Sequence, residues 1–131
     1  MQPTKLSPGL ELFTTRHVGI VEGDRAAAEM LHMFFRLMEL ECSLISHRSE
    51  AVPTLSRLQP DVLILDLDLP DLRALDIAFE IRAVLPRLPI IFLSDFPAPP
   101  DLPFPSPVLR KPHGKFEDML RLFEAVLEME E

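Results

Sequence analysis

Val62-Leu-Ile-Leu-Asp66 is the stretch that decides the fold, because four consecutive apolar residues end there in a carboxylate. Similar apolar runs occupy residues 18–21 and 90–93, with weaker versions at 43–45 and 108–109. Apolar runs without polar alternation are typical of strands that are covered on both faces. The sequence therefore predicts five largely buried strands.

Amphipathic segments lie between most of these strands. Apolar residues recur at helical spacing in residues 25–40, 75–85 and 116–127, and a shorter helix is predicted over 49–58 with Ser49 as its N-cap. Strands that alternate with helices form right-handed βαβ units, in which a parallel sheet lies between two helical layers. We therefore expect an α/β protein with a doubly wound, five-stranded parallel sheet.

The connection between the fourth and fifth strands is rich in proline. It contains Pro97, Pro99, Pro100, Pro103, Pro105 and Pro107. Proline removes a backbone donor and clashes with the preceding turn, so the sequence predicts that a Pro-rich loop replaces the fourth helix. Its apolar members Phe96, Leu102 and Phe104 suggest packing against the sheet or a partner. A disordered tether is the alternative.

Length and charge limit the organisation of the chain. Its 131 residues carry a formal net charge of −8 and a single cysteine, Cys42. We expect a flexible arm over residues 1–16 and one domain over 17–131 that folds without disulfides. This charge balance predicts neither a nucleic-acid nor a membrane partner, because nucleic acids and anionic membranes both bind clustered Lys and Arg. The absence of a signal peptide or a long apolar run predicts a cytoplasmic protein.

Polar residues follow the predicted strands at their carboxyl ends. They are Glu22 and Asp24 after the first strand, with Gly23 between them, Asp66 after the third, Ser94 and Asp95 after the fourth, and Arg110 and Lys111 after the fifth. Ligands of open parallel sheets bind at this edge. Carboxylates that attack phosphorus or hold Mg²⁺, together with a hydroxyl and a lysine that neutralise phosphoryl oxygens, suit phosphoryl transfer.

Four motifs occur in order: Ile20-Val-Glu-Gly-Asp24, Pro60-Asp-Val-Leu-Ile-Leu-Asp66-Leu-Asp-Leu-Pro70, Pro89-Ile-Ile-Phe-Leu-Ser94 and Val108-Leu-Arg-Lys111-Pro112. Together they resemble the receiver domains of two-component response regulators over about residues 17–130. The resemblance implies a flavodoxin-like fold with strand order 2-1-3-4-5. The Pro-rich connection and Phe92-Leu-Ser-Asp-Phe96 are similar to an atypical alphaproteobacterial subset, Phe-Ala-Thr-Gly-Tyr-like, that lacks the fourth helix.

The resemblance also implies roles for individual residues. Asp66 would be the phosphoacceptor, Ser94 the hydroxyl switch residue, and Lys111 the lysine that contacts both the phosphoryl group and the acceptor. The Lys111-Pro112 peptide would be cis, as is usual in the family.

The implied metal is Mg²⁺. Its ligands would come from Glu22, Asp24, Asp66 and Asp68. Gly23 stands where the family places a direct carboxylate ligand, and the loss of one oxygen ligand weakens an octahedral Mg²⁺ site. We therefore expect Mg²⁺ to bind weakly.

Two functions stay open at this point. The first is a stand-alone, non-enzymatic receiver that accepts a phosphoryl group on Asp66 in a phosphorelay and signals by protein contact. Its partners would be a histidine kinase or phosphotransfer protein and a downstream target, with a homodimer as a further candidate. The second is a pseudo-receiver, an interaction module that neither binds Mg²⁺ nor turns over phosphate. Gly23 favours it, and so does Asp95, whose charge would repel a phosphoryl group.

The first helix carries more apolar residues than one covered face requires. Met33 and Phe35 are among them. Exposed apolar surface marks partner sites, so we predict a partner or dimer interface on this helix. The alternative is that the N-terminal arm folds back over the same residues.

Overall fold

A computed structural model gives the positions of residues 16–68, 73–97, 102 and 104–129. In chain order the elements are β1 (His17–Val21), α1 (Arg25–Leu37), β2 (Glu41–Ile45), α2 (Arg48–Leu58), β3 (Val62–Asp66), α3 (Ala74–Val84), β4 (Ile90–Ser94), β5 (Val108–Arg110) and α4 (Phe116–Glu128). The strands pair in parallel in the order β2-β1-β3-β4-β5. This confirms the predicted α/β class and strand order.

The two faces of the sheet are covered by different helices. On one face, strand residues such as Ile64 pack with α1 and α4; on the other, Leu63 and Leu65 pack with α2 and α3. Successive side chains of a strand point to opposite faces, so a strand between two helical layers needs apolar residues at consecutive positions. Burial of β3 and β4 along their whole length follows from this arrangement.

Helix α2 begins one residue before the predicted position. His47 is its N-cap residue, and the described residues provide no side-chain cap at that end. The first turn closes when the Glu50 amide donates to the His47 carbonyl at 3.0 Å, which places Ser49 inside the helix. The prediction of Ser49 as the N-cap is therefore wrong.

The connection from β4 to β5 packs partly against the sheet. The Phe104 ring lies 6.2 Å from the Phe92 ring, centroid to centroid, and the Arg82 guanidinium lies 4.3 Å above the Phe104 ring. Leu102 packs against the same side of the core, whereas Phe96 is exposed. The packing prediction therefore holds for Leu102 and Phe104. Phe96 does not pack against the sheet, and its contact with a partner stays a prediction.

The described part of this connection, residues 95–97, 102 and 104–107, contains no helix. Residues 98–101 and 103 lie outside the described residues, as do residues 1–15 of the predicted arm. Within the part of the chain that the structure describes, no helix combines the length and the apolar character needed to cross a membrane.

Cys42 lies in the edge strand β2 and is partly buried. Burial raises the pKa of its thiol to about 12, although the charge of Arg36 acts in the opposite direction. The sulfur is therefore protonated at neutral pH and packs as a small apolar group.

Candidate functional site

The carboxyl edge of the sheet brings together side chains that the sequence placed at separate strand ends. Glu22, Asp66 and Ser94 are 4%, 1% and 5% exposed, and they are the buried polar or charged side chains among the described residues. Burying carboxyl groups costs free energy unless they are paired or hydrogen-bonded. Such a cluster at a strand edge is therefore a candidate functional site.

Lys111 pairs directly with Asp66. The Lys111 Nζ lies 2.9 Å from Asp66 Oδ1, and the Lys111 amide donates to the Ser94 carbonyl at 3.3 Å. Burial alone would lower the pKa of Lys111, but hydrogen bonds to and the charges of Asp66 and Asp68 outweigh it and raise the pKa. The ammonium is therefore held in its charged form beside the predicted acceptor.

The peptide that follows Lys111 differs from the prediction. No peptide bond in the described chain is cis, so Lys111-Pro112 is trans and the predicted cis bond is wrong. The trans isomer is favoured by roughly 0.5–1 kcal/mol for an X–Pro bond, and Lys111 reaches Asp66 from it.

Asp68 lies with Ser94 and Lys111. Its Oδ1 accepts a hydrogen bond from Ser94 Oγ at 2.7 Å, and its Oδ2 accepts one from the Asp95 amide at 2.7 Å. Lys111 Nζ lies 3.3 Å from the same Oδ2. We call these three donors, Ser94 Oγ, the Asp95 amide and Lys111 Nζ, the donor cradle.

The donor cradle sets the ionisation of Asp68. Burial would raise the pKa of Asp68, but the hydrogen bonds from the Asp95 amide, Ser94 and Lys111 together lower it below the usual value. Charge-assisted hydrogen bonds of this kind are stronger than neutral ones. Asp68 is therefore an ionised carboxylate fixed by donors from two other strand ends.

The opposite side of Asp66 has a different environment. Asp66 Oδ2 is buried, and no N–H or hydroxyl group of the described residues donates to it. Burial, a hydrogen bond to Asp66 and the charge of Asp66 raise the pKa of Glu22 to about 8. Two adjacent buried carboxyl groups are stable together only with a shared proton or a cation beside them.

Asp24 is the N-cap residue of α1. Its Oδ1 accepts from the Ala26 amide at 3.0 Å, which is a favourable N-cap arrangement for aspartate. Of the four predicted metal ligands, the structure thus brings Glu22 and Asp66 together, while Asp24 and Asp68 have other partners. Among the residues with described positions, no three acidic, His or Cys side chains are grouped so that they could hold a metal ion.

Asp95 and His113 form a contact that the sequence analysis missed. His113 Nε2 lies 2.8 and 2.9 Å from the two carboxylate oxygens of Asp95. The Asp95 side chain is thus held by His113, while the Asp95 amide faces Asp68. The two residues lie in loops 18 positions apart, so no local pattern could reveal the pair.

A cavity of about 270 Å³ opens beside Glu22 and Lys111. Its apolar wall comes from α1 through Met30 and Leu31 and from the turn after β5 through Gly114. The cavity connects the candidate site with the surface of α1.

The strand order and the acidic carboxyl edge define a doubly wound α/β protein of the flavodoxin-like type. The family described as the response regulator receiver domain matches residues 18–102. The chain therefore belongs to the response regulator receiver domain family, whose members are generally signalling modules rather than enzymes.

Two curated relatives illustrate the similarity. The regulatory protein LuxO of Vibrio cholerae is 24% identical over 75 residues, which make up 57% of this chain and 16% of LuxO. TcrX, a regulatory protein of Mycobacterium tuberculosis, is 32% identical over 75 residues, which make up 57% of this chain and 32% of TcrX. The chain thus spans a third or less of these relatives.

Solved structures show the same fold. The response regulator TrrA of Thermotoga maritima, in complex with Mg²⁺ and BeF, has a TM-score of 0.73 at 18% identity and covers 86% of this chain and 99% of its own. A receiver domain from Methylobacillus flagellatus has a TM-score of 0.71 at 19% identity, with 86% and 99% coverage. Identities this low support the fold alone.

Proposed function

We propose that this receiver accepts a phosphoryl group on Asp66 in a two-component phosphorelay and signals through a protein contact. The observation that carries the proposal is the position of Asp66 at the buried end of β3. Its Oδ1 is held by Lys111 at 2.9 Å, and its Oδ2 is left unpaired by the described residues. One oxygen is thus fixed by a cation, and the other is available as a nucleophile.

The proposed transfer uses groups already at the site. Asp66 Oδ2 attacks phosphorus and forms a P–O bond, while the bond from phosphorus to a donor histidine nitrogen or acetate oxygen breaks and the leaving group keeps the electron pair. Lys111 would neutralise charge on the oxygens of the transferred group, and Ser94 would donate a hydrogen bond to one of them; both lie next to Asp66 or Asp68.

Receiver domains typically bind Mg²⁺ for phosphorylation. Glu22 and Asp66 would hold the ion here, because they form an adjacent pair of buried carboxyl groups with one unpaired oxygen among the described contacts. Proteins often hold Mg²⁺ through only one or two carboxylates, with water and phosphate oxygens as the other ligands. When bound, the ion supplies positive charge that neutralises the phosphoryl group. Gly23 adds no carboxylate, so we expect low affinity.

The phosphoryl donor would be a histidine kinase or a phosphotransfer protein, since receiver domains interact with both. The exposed side of α1 offers a contact surface through Met33 and Leu37, which are 64% and 74% exposed. Phe35, the other residue considered for this surface, is fully buried. Exposed apolar side chains that lie on the same helix favour a protein contact, with a partner or with a second copy of the chain.

A pseudo-receiver is the second candidate function. It is favoured by Asp68, which already holds the donor cradle, and by Gly23, which contributes no metal ligand. Such a protein would keep the fold and the interaction surface without phosphoryl turnover.

The deciding experiment is intact-mass spectrometry after incubation with acetyl phosphate and Mg²⁺. We expect one phosphoryl group on the wild type and on the control Glu124→Gln, whose side chain is exposed on α4, and none on Asp66→Asn. Label that persists on Asp66→Asn would show that the acceptor is another residue. An unlabelled wild type would favour the pseudo-receiver.

A further inference from the structure

Asp68 accepts from donors that converge from two strand ends. Ser94 Oγ and the Asp95 amide come from the end of β4, and Lys111 Nζ comes from the end of β5. A hydroxyl, a backbone amide and an ammonium are the kinds of donor that stabilise the oxygens of a phosphoryl group. The Asp68 carboxylate therefore satisfies donors that a phosphoryl group on Asp66 would need.

The position of Asp68 relative to Asp66 supports this competition. Lys111 Nζ bridges the two carboxylates, at 2.9 Å from Asp66 Oδ1 and 3.3 Å from Asp68 Oδ2. The Asp68 amide also donates to Asp66 Oδ1 at 2.8 Å, which fixes the backbone of Asp68 beside the acceptor. The side chain of Asp68 retains 14% exposure, so it has a path toward solvent.

We propose that the Asp68 carboxylate substitutes for the phosphoryl group in the unphosphorylated protein. Asp68 occupies the donor cradle there, and it must leave before a phosphoryl group on Asp66 can enter. The inference rests on the proposed function, because it names how that same site is regulated. Its direct consequence is that Ser94 and the Asp95 amide are engaged without phosphate, while phosphorylation is slowed by the need to displace Asp68.

The displacement is chemically feasible. A phosphoryl group carries up to about two negative charges and three acceptor oxygens, whereas a carboxylate carries one charge and two oxygens. A phosphoryl group attached to Asp66 is also held next to the donor cradle by its covalent bond, which raises its effective concentration there. Asp68 thus delays the phosphorylated state rather than preventing it.

The test uses beryllium fluoride, a tetrahedral phosphoryl analogue, titrated in the presence of Mg²⁺ and followed by ¹⁹F NMR. The proteins are the wild type, Asp68→Asn, Asp68→Ala and the control Glu124→Gln, which removes one charge on α4. We expect the dissociation constant to fall by about tenfold or more in both Asp68 variants, because charge-assisted hydrogen bonds no longer have to be broken. The control should match the wild type. Equal or weaker binding by the Asp68 variants overturns the proposal.

A second readout does not depend on phosphorylation. The Asp95 amide proton should resonate far downfield in the free wild type and move upfield in Asp68→Asn, because an amide group replaces its carboxylate acceptor. An unmoved Asp95 amide overturns the proposal. If that signal moves but neither the wild type nor the Asp68 variants bind beryllium fluoride, Asp68 holds the cradle and the function proposed for Asp66 fails. The isosteric Asn variant carries both readouts if the Ala variant does not fold.

Discussion

The two sides of Asp66 balance buried charge in different ways. On the Oδ1 side, Lys111 and the rest of the donor cradle supply donors to Asp66 and Asp68. At Oδ2, no N–H or hydroxyl group of the described residues donates, and the neighbouring carboxyl group of Glu22 has a pKa raised to about 8. One side is thus organised to hold an anion, and the other lacks positive charge. The Oδ1 side thus already holds an anion, the Asp68 carboxylate, whereas the described residues place no cation on Oδ2.

The largest expected effect comes from removing the cation of the Oδ1 side. Lys111→Met keeps most of the length of the side chain but leaves Asp66 and Asp68 side by side without an ammonium. Breaking a buried ion pair on one side costs about 3–5 kcal/mol. We expect urea unfolding to show a loss at the lower end of that range, because Asp68 keeps two other donors.

A double variant checks the cause of that loss. Asp66→Asn combined with Lys111→Met should recover part of the lost stability, because the uncompensated charge is then gone. If Lys111→Met alone lowers the free energy of unfolding by less than about 1 kcal/mol, the Lys111–Asp66 pair contributes no more than an ordinary surface ion pair.

The second prediction concerns the Oδ2 side and pH. The folded-state pKa of Glu22, about 8, lies above the usual value of 4.5, so the folded state binds its proton more tightly than the unfolded state does. The stability associated with Glu22 is therefore full below pH 4.5 and decreases as the pH rises toward about 8. Glu22→Gln should remove this decrease and, near pH 8 in EDTA, raise the melting temperature by a few degrees.

The measurement is the difference in melting temperature between the wild type and Glu22→Gln from pH 5 to pH 9. Taking the difference cancels groups that titrate equally in both proteins. A difference that stays constant over this range would mean that Glu22 ionises normally beside Asp66.

The third prediction adds charge to the Oδ2 side. Gly23 is exposed, and its backbone is outside the positive-φ region that the structure assigns to Gly114, so an aspartate fits there without backbone strain. Gly23→Asp should tighten Mg²⁺ binding by about tenfold, since it provides another hard oxygen ligand. Titration followed by amide chemical shifts would show this, and equal affinities for the two proteins would contradict it.

The smallest effect on stability is expected at the α1 surface beside the cavity. Met33→Lys should weaken association with a partner or a second copy while the melting temperature stays unchanged, because Met33 is 64% exposed. Val84→Lys on α3 is the matched control, since it changes another exposed apolar side chain away from α1. A lower melting temperature with unchanged association would indicate that another segment of the chain covers Met33.

The positions of Asp66 and Ser94 at one edge of the sheet could be predicted from the sequence. Asp66 and Ser94 end apolar runs, and parallel strands bring their carboxyl ends to one edge, so the strand pattern was enough to place them. The sequence also indicates an N-cap role for Asp24, because aspartate before Arg25-Ala-Ala-Ala is a favourable N-cap. Its carboxylate follows that local preference.

The partner of Asp68 could not be predicted in this way. From its position in the sequence, the Asp68 side chain could join the metal ligands near Glu22 or accept from the donors near Ser94. Which of these contacts forms depends on the distances between strand ends. The contact between Asp95 and His113 likewise depends on where two loops meet. Spacing along the chain locates backbone positions, but the direction of a charged side chain follows from the donors around it in three dimensions.

The partly buried thiol of Cys42 in β2 is an intrinsic chemical probe for the opening of this edge strand. The sequence contains no Trp or Tyr, so intrinsic fluorescence is poorly suited to follow such an event. With a pKa of about 12, few folded molecules carry a thiolate at pH 8.5. An exposed cysteine with a pKa of roughly 8.5 is about half ionised there, a difference on the order of a thousandfold in reactive species. A pulse of iodoacetamide would therefore count the molecules in which β2 has separated from β1.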